Sequence, residues 1–177
     1  VKNFSLAITM LISFLSLGQE INGKNKFKEY EFFISNKEYE NYDDVIKSNG
    51  FKKVSDTSLT LSNSDYRLTQ IRKKSKIIIL FSKINLNYET DKANESLTLL
   101  DTLQINSLDE NNFVTIGYCE LDGLIPEQII SLVKKCKKEY LDVIIKSWKV
   151  NEKTMKIEKI NDASKIKCIN EHFEYSE

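Results

Sequence analysis

The sequence has few of the residues that catalytic and metal sites need. It contains one histidine, His172, together with one proline and five glycines in 177 residues. Serine, cysteine and zinc enzymes usually draw on more histidine than this. No glycine-rich phosphate loop and no HExxH, GxSxG or CxxC motif occurs. His172 lies beside Glu171 and Glu174, but a solvated chain end explains this group better than a metal patch. We therefore expect no metal site and no cofactor.

Excess charge of either sign is also missing. The chain has 26 basic and 26 acidic residues, so its formal net charge is zero. A neutral protein has no overall field that draws it to nucleic acid or to an anionic bilayer. We expect no nucleic-acid partner, and any contact with a polyanion would have to be local.

The first eighteen residues predict a cleavable signal peptide. Lys2 is followed by an uncharged stretch from Phe4 to Leu17, which is shorter than the roughly 20 apolar residues that span a membrane. Ser16 and Gly18 place small residues three and one positions before a cut after residue 18. We expect residues 19–177 to form a single exported domain, periplasmic or extracellular, with no stable membrane span. An uncleaved anchor or a buried helix is the alternative.

Beyond the predicted signal peptide, the order of apolar and polar residues predicts an α+β fold that is mostly antiparallel β-sheet. A helix is expected over about residues 37–49, where Tyr39, Tyr42 and Ile46 recur at helical spacing and Gly50 offers a stop. Beyond it, short β-rich segments alternate with polar turns. The segment from Pro126 to Val150 fits either a long helix or two strands, and we favour two strands.

The three cysteines predict one disulfide. Cys119 and Cys168 lie in apolar strand patterns, whereas Cys136 is surrounded by lysines in "VKKCKKEY". Disulfides persist in oxidising compartments, and three cysteines allow one bridge. We predict a Cys119–Cys168 bridge and a free thiol at Cys136.

Three segments of the chain resemble segments of other proteins. The stretches "GYCELDG", "IIKSWKVNEKTMKIEKI" and "IKCINE" are similar to segments of small uncharacterised exported proteins of Gram-negative bacteria. The resemblance covers about the last 70 residues and implies no particular chemistry. It implies export and the pairing of Cys119 with Cys168.

Two groups of residues are candidate sites. Glu120 and Asp122 lie two apart and would share one face of a strand, as a carboxylate pair in glycoside cleavage could. Turn-forming polarity before Gly123 explains these two carboxylates without catalysis.

The second group is a candidate interaction patch of basic and aromatic side chains. It consists of Arg67, Arg72, Lys73, Lys74, Tyr39 and Tyr42. Charged strand edges and helix packing are the simpler explanations of that patch.

These observations favour a non-catalytic binding or interaction protein of the periplasm or cell exterior. Its partner would be an unknown protein or envelope component. The alternatives are a small cell-envelope hydrolase that uses carboxylates, and an inhibitor or immunity-type protein.

Overall fold

The computed structural model describes residues 33–88, 94–106 and 108–173. The predicted signal peptide and its cleavage site lie outside these residues. Ile34–Glu177 forms one compact unit. Within the described residues the fold is mostly antiparallel β-sheet with few helices.

The first sheet has five strands. They are β1 (Glu38–Tyr39), β2 (Lys52–Leu61), β3 (Ser64–Lys73), β4 (Lys76–Asn87) and β5 (Asn94–Ile105), in the spatial order β1-β5-β4-β3-β2. Ser62 and Asn63 join β2 to β3 with φ values of 45° and 64°. Two consecutive residues with positive φ give a hairpin turn whose twist matches that of the strands. β3 and β4 form the next hairpin, as the alternating pattern predicts.

The predicted helix over residues 37–49 is wrong in its length. The helix α1 covers only Asp43–Ser48. Glu38 and Tyr39 instead pair with β5 as strand β1. Backbone pairing with a long strand therefore outweighs the helical spacing of the tyrosines, because helix propensity is weak against tertiary contacts. Gly50 follows the helix with a φ of 69°, as expected of a helix stop.

The second sheet has four strands. They are β6 (Asn112–Ile116), β8 (Ile129–Lys134), β9 (Ile144–Asn151) and β10 (Lys156–Ile160), in the order β10-β9-β8-β6. β7 (Cys119–Glu120) and β11 (Lys167–Cys168) form a separate small sheet. A short 3-10 helix, Pro126–Gln128, precedes β8. The preference for two strands after Pro126 is therefore confirmed.

Described residues form a hydrophobic core between each pair of facing sheets. The first lies between the two large sheets and includes Leu68 and Phe81 from the first sheet and Ile130 and Val150 from the second. The second core, which contains both Cys119 and Cys168, lies between the second sheet and the small sheet. On the outer face of the first sheet, Tyr42 and Ile46 are buried at α1. Both faces of β4 are thus buried over most of its first half, which explains the nearly continuous apolar run of this strand.

A hydrogen bond joins the two large sheets beside β5 and β10. The Ile157 N–H of β10 donates to Oδ2 of Asp101 in β5 at 2.8 Å. On the opposite side β2 and β6 are the terminal strands of their sheets, and no described strand pairs with the outer edge of either. The space between these two edges is the feature of the fold that positions the candidate site.

Candidate functional site

An inter-sheet groove opens between the edges of β2 and β6. Its volume is about 470 Å³, which lies within the range of roughly 300–1,000 Å³ found for ligand pockets. One wall carries Val54 and Asp56 of β2 with Gln70 and Arg72 of β3. The other wall is β6. The groove therefore combines apolar, amide and charged side chains with the backbone of a strand edge.

The bonding pattern of β6 shows which of its backbone groups face this groove. The Lys135 N–H donates to the Asn111 carbonyl at 2.7 Å, and the Gly117 N–H donates to the Ile129 carbonyl at 3.4 Å. Residues 111 and 117 therefore direct their backbone groups towards β8. Backbone direction alternates along an antiparallel strand. The even-numbered residues of β6 consequently direct their N–H and C=O groups towards the groove.

These outward backbone groups are only partly bonded. The Asn112 N–H donates to the Asp109 carbonyl at 3.0 Å. No described residue bonds the outward N–H and C=O groups of Val114 or Ile116. Both residues are only 6% exposed. Backbone polar groups of buried residues almost always have a partner in the protein, in water or in a ligand, so the groove is the place from which that partner must come.

Gln70 adds a side-chain amide to the same wall. It lies two residues after Leu68 in β3 and faces the space between the sheets. Gln70 is 6% exposed, and no described residue forms a hydrogen bond with its amide. Its position in the groove lets a bound molecule supply the missing bonds.

The groove is lined by two cations, Arg72 and Lys135, and by two carboxylates, Asp56 and Glu171. Asp56 is paired with Lys53 at 3.1 Å. The Arg72 Nε–H donates to the Lys74 carbonyl at 2.8 Å, and Lys135 likewise bonds a backbone carbonyl. Among the described residues neither Arg72 nor Lys135 forms an ion pair with a carboxylate. These two cations therefore remain available to an anionic group of a bound molecule.

Exposed apolar side chains form a row beside the groove. The Ile169 N–H donates to the Tyr118 carbonyl at 2.8 Å, and Ile169 also forms a β-bridge with Tyr140. Residues that pair across strands share a face, and all three side chains are exposed. Cys119 and Cys168 point to the opposite, buried face. Tyr118 also lines the groove, so the row begins at its rim.

The predicted carboxylate pair lies elsewhere. Glu120 and Asp122 are both exposed and line a separate open recess together with Lys165 and Lys167. Glu120 in β7 lies directly opposite Lys167 in β11 in the strand register. Neither carboxylate lines the inter-sheet groove.

The structure does not bring the predicted interaction patch together as one exposed surface. Tyr39, in β1, and Tyr42 are both buried, with ring centroids 5.0 Å apart. Arg67 forms a two-point ion pair with Glu95, whose second bond, from Nη2 to Oε2, is 2.8 Å long. The two tyrosines are thus buried, and the Arg67 guanidinium already has a carboxylate partner.

The remaining patch residues surround the β3–β4 turn. Lys73 donates through Nζ to the Asn49 carbonyl at 3.0 Å, and Lys74 occupies the turn with a φ of 54°. Arg72 is the one member of the patch that lines the groove.

The cysteines are placed as the sequence predicts. Cys119 and Cys168 lie at disulfide-bonding distance, with 2.08 Å between their sulfur atoms. Cys136 has no disulfide partner and is partly buried. Its Sγ lies 3.6 Å from the Tyr140 carbonyl oxygen.

Comparisons with protein-family models, with curated proteins and with solved structures find no match to this chain. Within the described ranges, no helix has the length and apolar character needed to cross a membrane. The same residues contain no group of three or more histidine, cysteine or acidic side chains that could hold a metal ion.

Sequence reasoning missed the groove because its two walls belong to different sheets. Two local signals exist. Gln70 interrupts the apolar side of "YRLTQI", and "NFVTI" is a strand without any charge. Neither signal identifies a site until the order of the strands is known.

Proposed function

We propose that this protein is an exported, non-catalytic binding protein of the periplasm or cell exterior, and that it holds a partner protein in the inter-sheet groove. The observation that carries the proposal is the set of polar groups left open there. These are the Gln70 amide and the backbone groups of Val114 and Ile116. A partner that bonds these groups would gain hydrogen bonds with both the amide and the strand edge.

The cysteine pair supports the location in this proposal. A disulfide between Cys119 and Cys168 is stable in an oxidising compartment and rare in a reducing one. A protein partner is favoured over a small polar solute because the exposed row that starts at Tyr118 extends the contact surface beyond the groove. Aromatic residues such as Tyr118 are enriched in protein interfaces.

The test is a capture experiment from the envelope fraction of the producing cell with disulfide-intact protein. Gln70→Leu removes the amide at similar volume. Asn87→Leu, an exposed amide at the end of β4 that does not line the groove, is the matched control. Wild type and Asn87→Leu should recover the same partner in stoichiometric amount, and Gln70→Leu should recover at least tenfold less. Equal recovery by all three proteins, or recovery of no protein by wild type, would contradict the proposal.

A further inference from the structure

We infer that the groove binds an extended peptide segment of the partner, which adds to β6 as a new antiparallel strand and carries a carboxylate side chain. This inference rests on the proposed function and specifies its ligand.

The unbonded backbone groups of β6 have the spacing that an added strand requires. Val114 and Ile116 both present an N–H and a C=O towards the groove, two residues apart on one strand edge. An added antiparallel strand bonds the partner strand at every second residue in this way. Main-chain bonds of this kind are the source of affinity when a peptide joins a sheet edge. A compact solute would not match a repeated pair of donors and acceptors at strand spacing.

The edge strands β2 and β6 differ in the features that protect a sheet edge from pairing. Sheet edges in natural proteins are commonly protected by charge, proline or a bulge. β2 has a register shift between Lys53 and Ser55, and it carries charged side chains at Lys52, Lys53 and Asp56. β6 has none of these devices over Asn112–Ile116. The unprotected edge faces a groove rather than bulk solvent, which favours β6 as the edge that receives the peptide.

The side chains around the groove specify the peptide further. Alternate residues of an added strand point to opposite faces, so one set faces Gln70 and Arg72 between the sheets. Arg72 lacks a carboxylate partner among the described residues, and the Asp56 side chain points to the opposite face of the first sheet, because Asp56 pairs with Thr69 and not with Gln70. A charge-assisted bond from a guanidinium to a carboxylate is among the stronger protein hydrogen bonds. An aspartate or glutamate of the peptide is therefore expected opposite Arg72.

The other face of the peptide meets an aromatic surface. The rings of Phe113 and His172 lie 5.0 Å apart between centroids, and both residues line the groove with Tyr118. Apolar residues are expected at the peptide positions that face them. A segment that matches the five residues of β6 would be about 17 Å long at roughly 3.4 Å per residue.

The first experiment selects displayed random decapeptides on the disulfide-intact protein. Selection should enrich peptides with alternating apolar residues and at least one aspartate or glutamate. The best selected peptide is then synthesised in two N-methylated forms, with methyl groups on alternate backbone nitrogens. One form should bind at least tenfold more weakly, because its blocked N–H groups are those that face β6, while the other should bind within about threefold of the parent. Failure to enrich any peptide, or equal affinities of both methylated forms and the parent, would overturn the inference.

Amide hydrogen exchange provides the matching readout on the protein. The parent peptide should slow exchange of the Val114 and Ile116 N–H groups at least tenfold. The Thr115 N–H points to β8 and should change much less. Val114→Pro removes one outward N–H at an edge position that tolerates proline and should reduce peptide affinity at least tenfold. Uniform protection of all three amides, or none, would contradict strand addition even if Val114→Pro proved unstable.

The two proposals fail in different ways. If Gln70→Leu loses the captured partner but no linear peptide binds, the groove is a binding site and the peptide inference is wrong. If Gln70→Leu captures the partner as wild type does, the proposed function at this groove is wrong as well.

Discussion

Cys119 lies directly opposite Cys168 in the antiparallel pair formed by β7 and β11, and the two residues point into the second core. Each of these strands is only two residues long, so backbone pairing alone gives the small sheet little stability. The covalent link joins segments 49 residues apart. It also supports the backbone that presents Tyr118 and Ile169 on the opposite face.

Removal of this link should destabilise the fold substantially. By the chain-entropy model a bridge that closes a loop of this length contributes about 3–4 kcal/mol. The double variant Cys119→Ala/Cys168→Ala should therefore lose about that much free energy of unfolding in urea denaturation, whereas Cys136→Ala should lose less than half as much. Titration of the unfolded wild type without reductant should find one thiol. Three thiols under those conditions would show that the bridge does not form.

The buried hydrogen bond between Tyr42 and Ser82 should stabilise the contact of α1 with the first sheet. The two hydroxyl oxygens are 2.7 Å apart. Tyr42→Phe leaves the buried Ser82 hydroxyl without this partner and should cost about 1–2 kcal/mol at neutral pH. Tyr88→Phe is the conservative control, because Tyr88 is 70% exposed. Equal stability of the two variants would contradict a contribution from this bond.

Tyr42 should also make the free energy of unfolding depend on pH in alkaline solution. Burial raises the pKa of the Tyr42 phenol well above its ordinary value of 10.0. The folded protein therefore keeps this proton where the unfolded chain loses it. The contribution is fully present below about pH 10 and is lost as the pH rises further, with a slope of up to about 1.4 kcal/mol per pH unit. Unfolding measured from pH 8 to 11 should show a shallower decline for Tyr42→Phe than for Tyr88→Phe, and parallel curves would argue against this assignment.

The carboxylate pair should be dispensable for binding. Glu120 and Asp122 line a recess that does not share them with the inter-sheet groove. The double variant Glu120→Gln/Asp122→Asn should capture the partner within about twofold of wild type. Loss of capture would place the partner at the recess instead of the groove. An activity on envelope polymers that disappears in this variant would revive the hydrolase hypothesis.

The ion pair between Arg67 and Glu95 should affect stability and leave binding unchanged. These side chains connect β3 and β5 across β4, and they are 21% and 38% exposed. A double-mutant cycle with alanine at both positions should give a coupling free energy of about 0.5–1 kcal/mol, smaller at high salt. Partner capture by Arg67→Ala should match that of wild type. A tenfold loss of capture would restore Arg67 to the interaction surface.

Local sequence patterns were sufficient for the β3–β4 hairpin, for the two strands after Pro126 and for the cysteine pair. Alternating apolar residues identify the β3–β4 hairpin, because side-chain direction in a strand repeats every two residues. The choice of two strands after Pro126 also follows from short runs of strand-forming residues on either side of a polar stretch. In each case the structure formed is the one that the segment itself favours.

The helix length and the groove depend on contacts between distant segments. Glu38 and Tyr39 have the spacing of a helix with Tyr42, yet the edge of β5 pairs with them. Gln70 and Val114 lie in different sheets, and no local pattern relates them. The opening between β2 and β6 follows from the order of the strands, which composition and periodicity do not determine.

Site-specific photo-crosslinking in the producing cell would test the central claim most directly. A benzophenone amino acid replaces Val54, which lines the groove and is 53% exposed, or Leu86, which is 47% exposed and does not line it. If the groove holds the partner, position 54 should give a crosslinked product of one defined mass, reduced at least tenfold when Gln70→Leu is added, and position 86 should give no such product. Equal crosslinking from both positions, or none from position 54, would contradict a binding function at the inter-sheet groove.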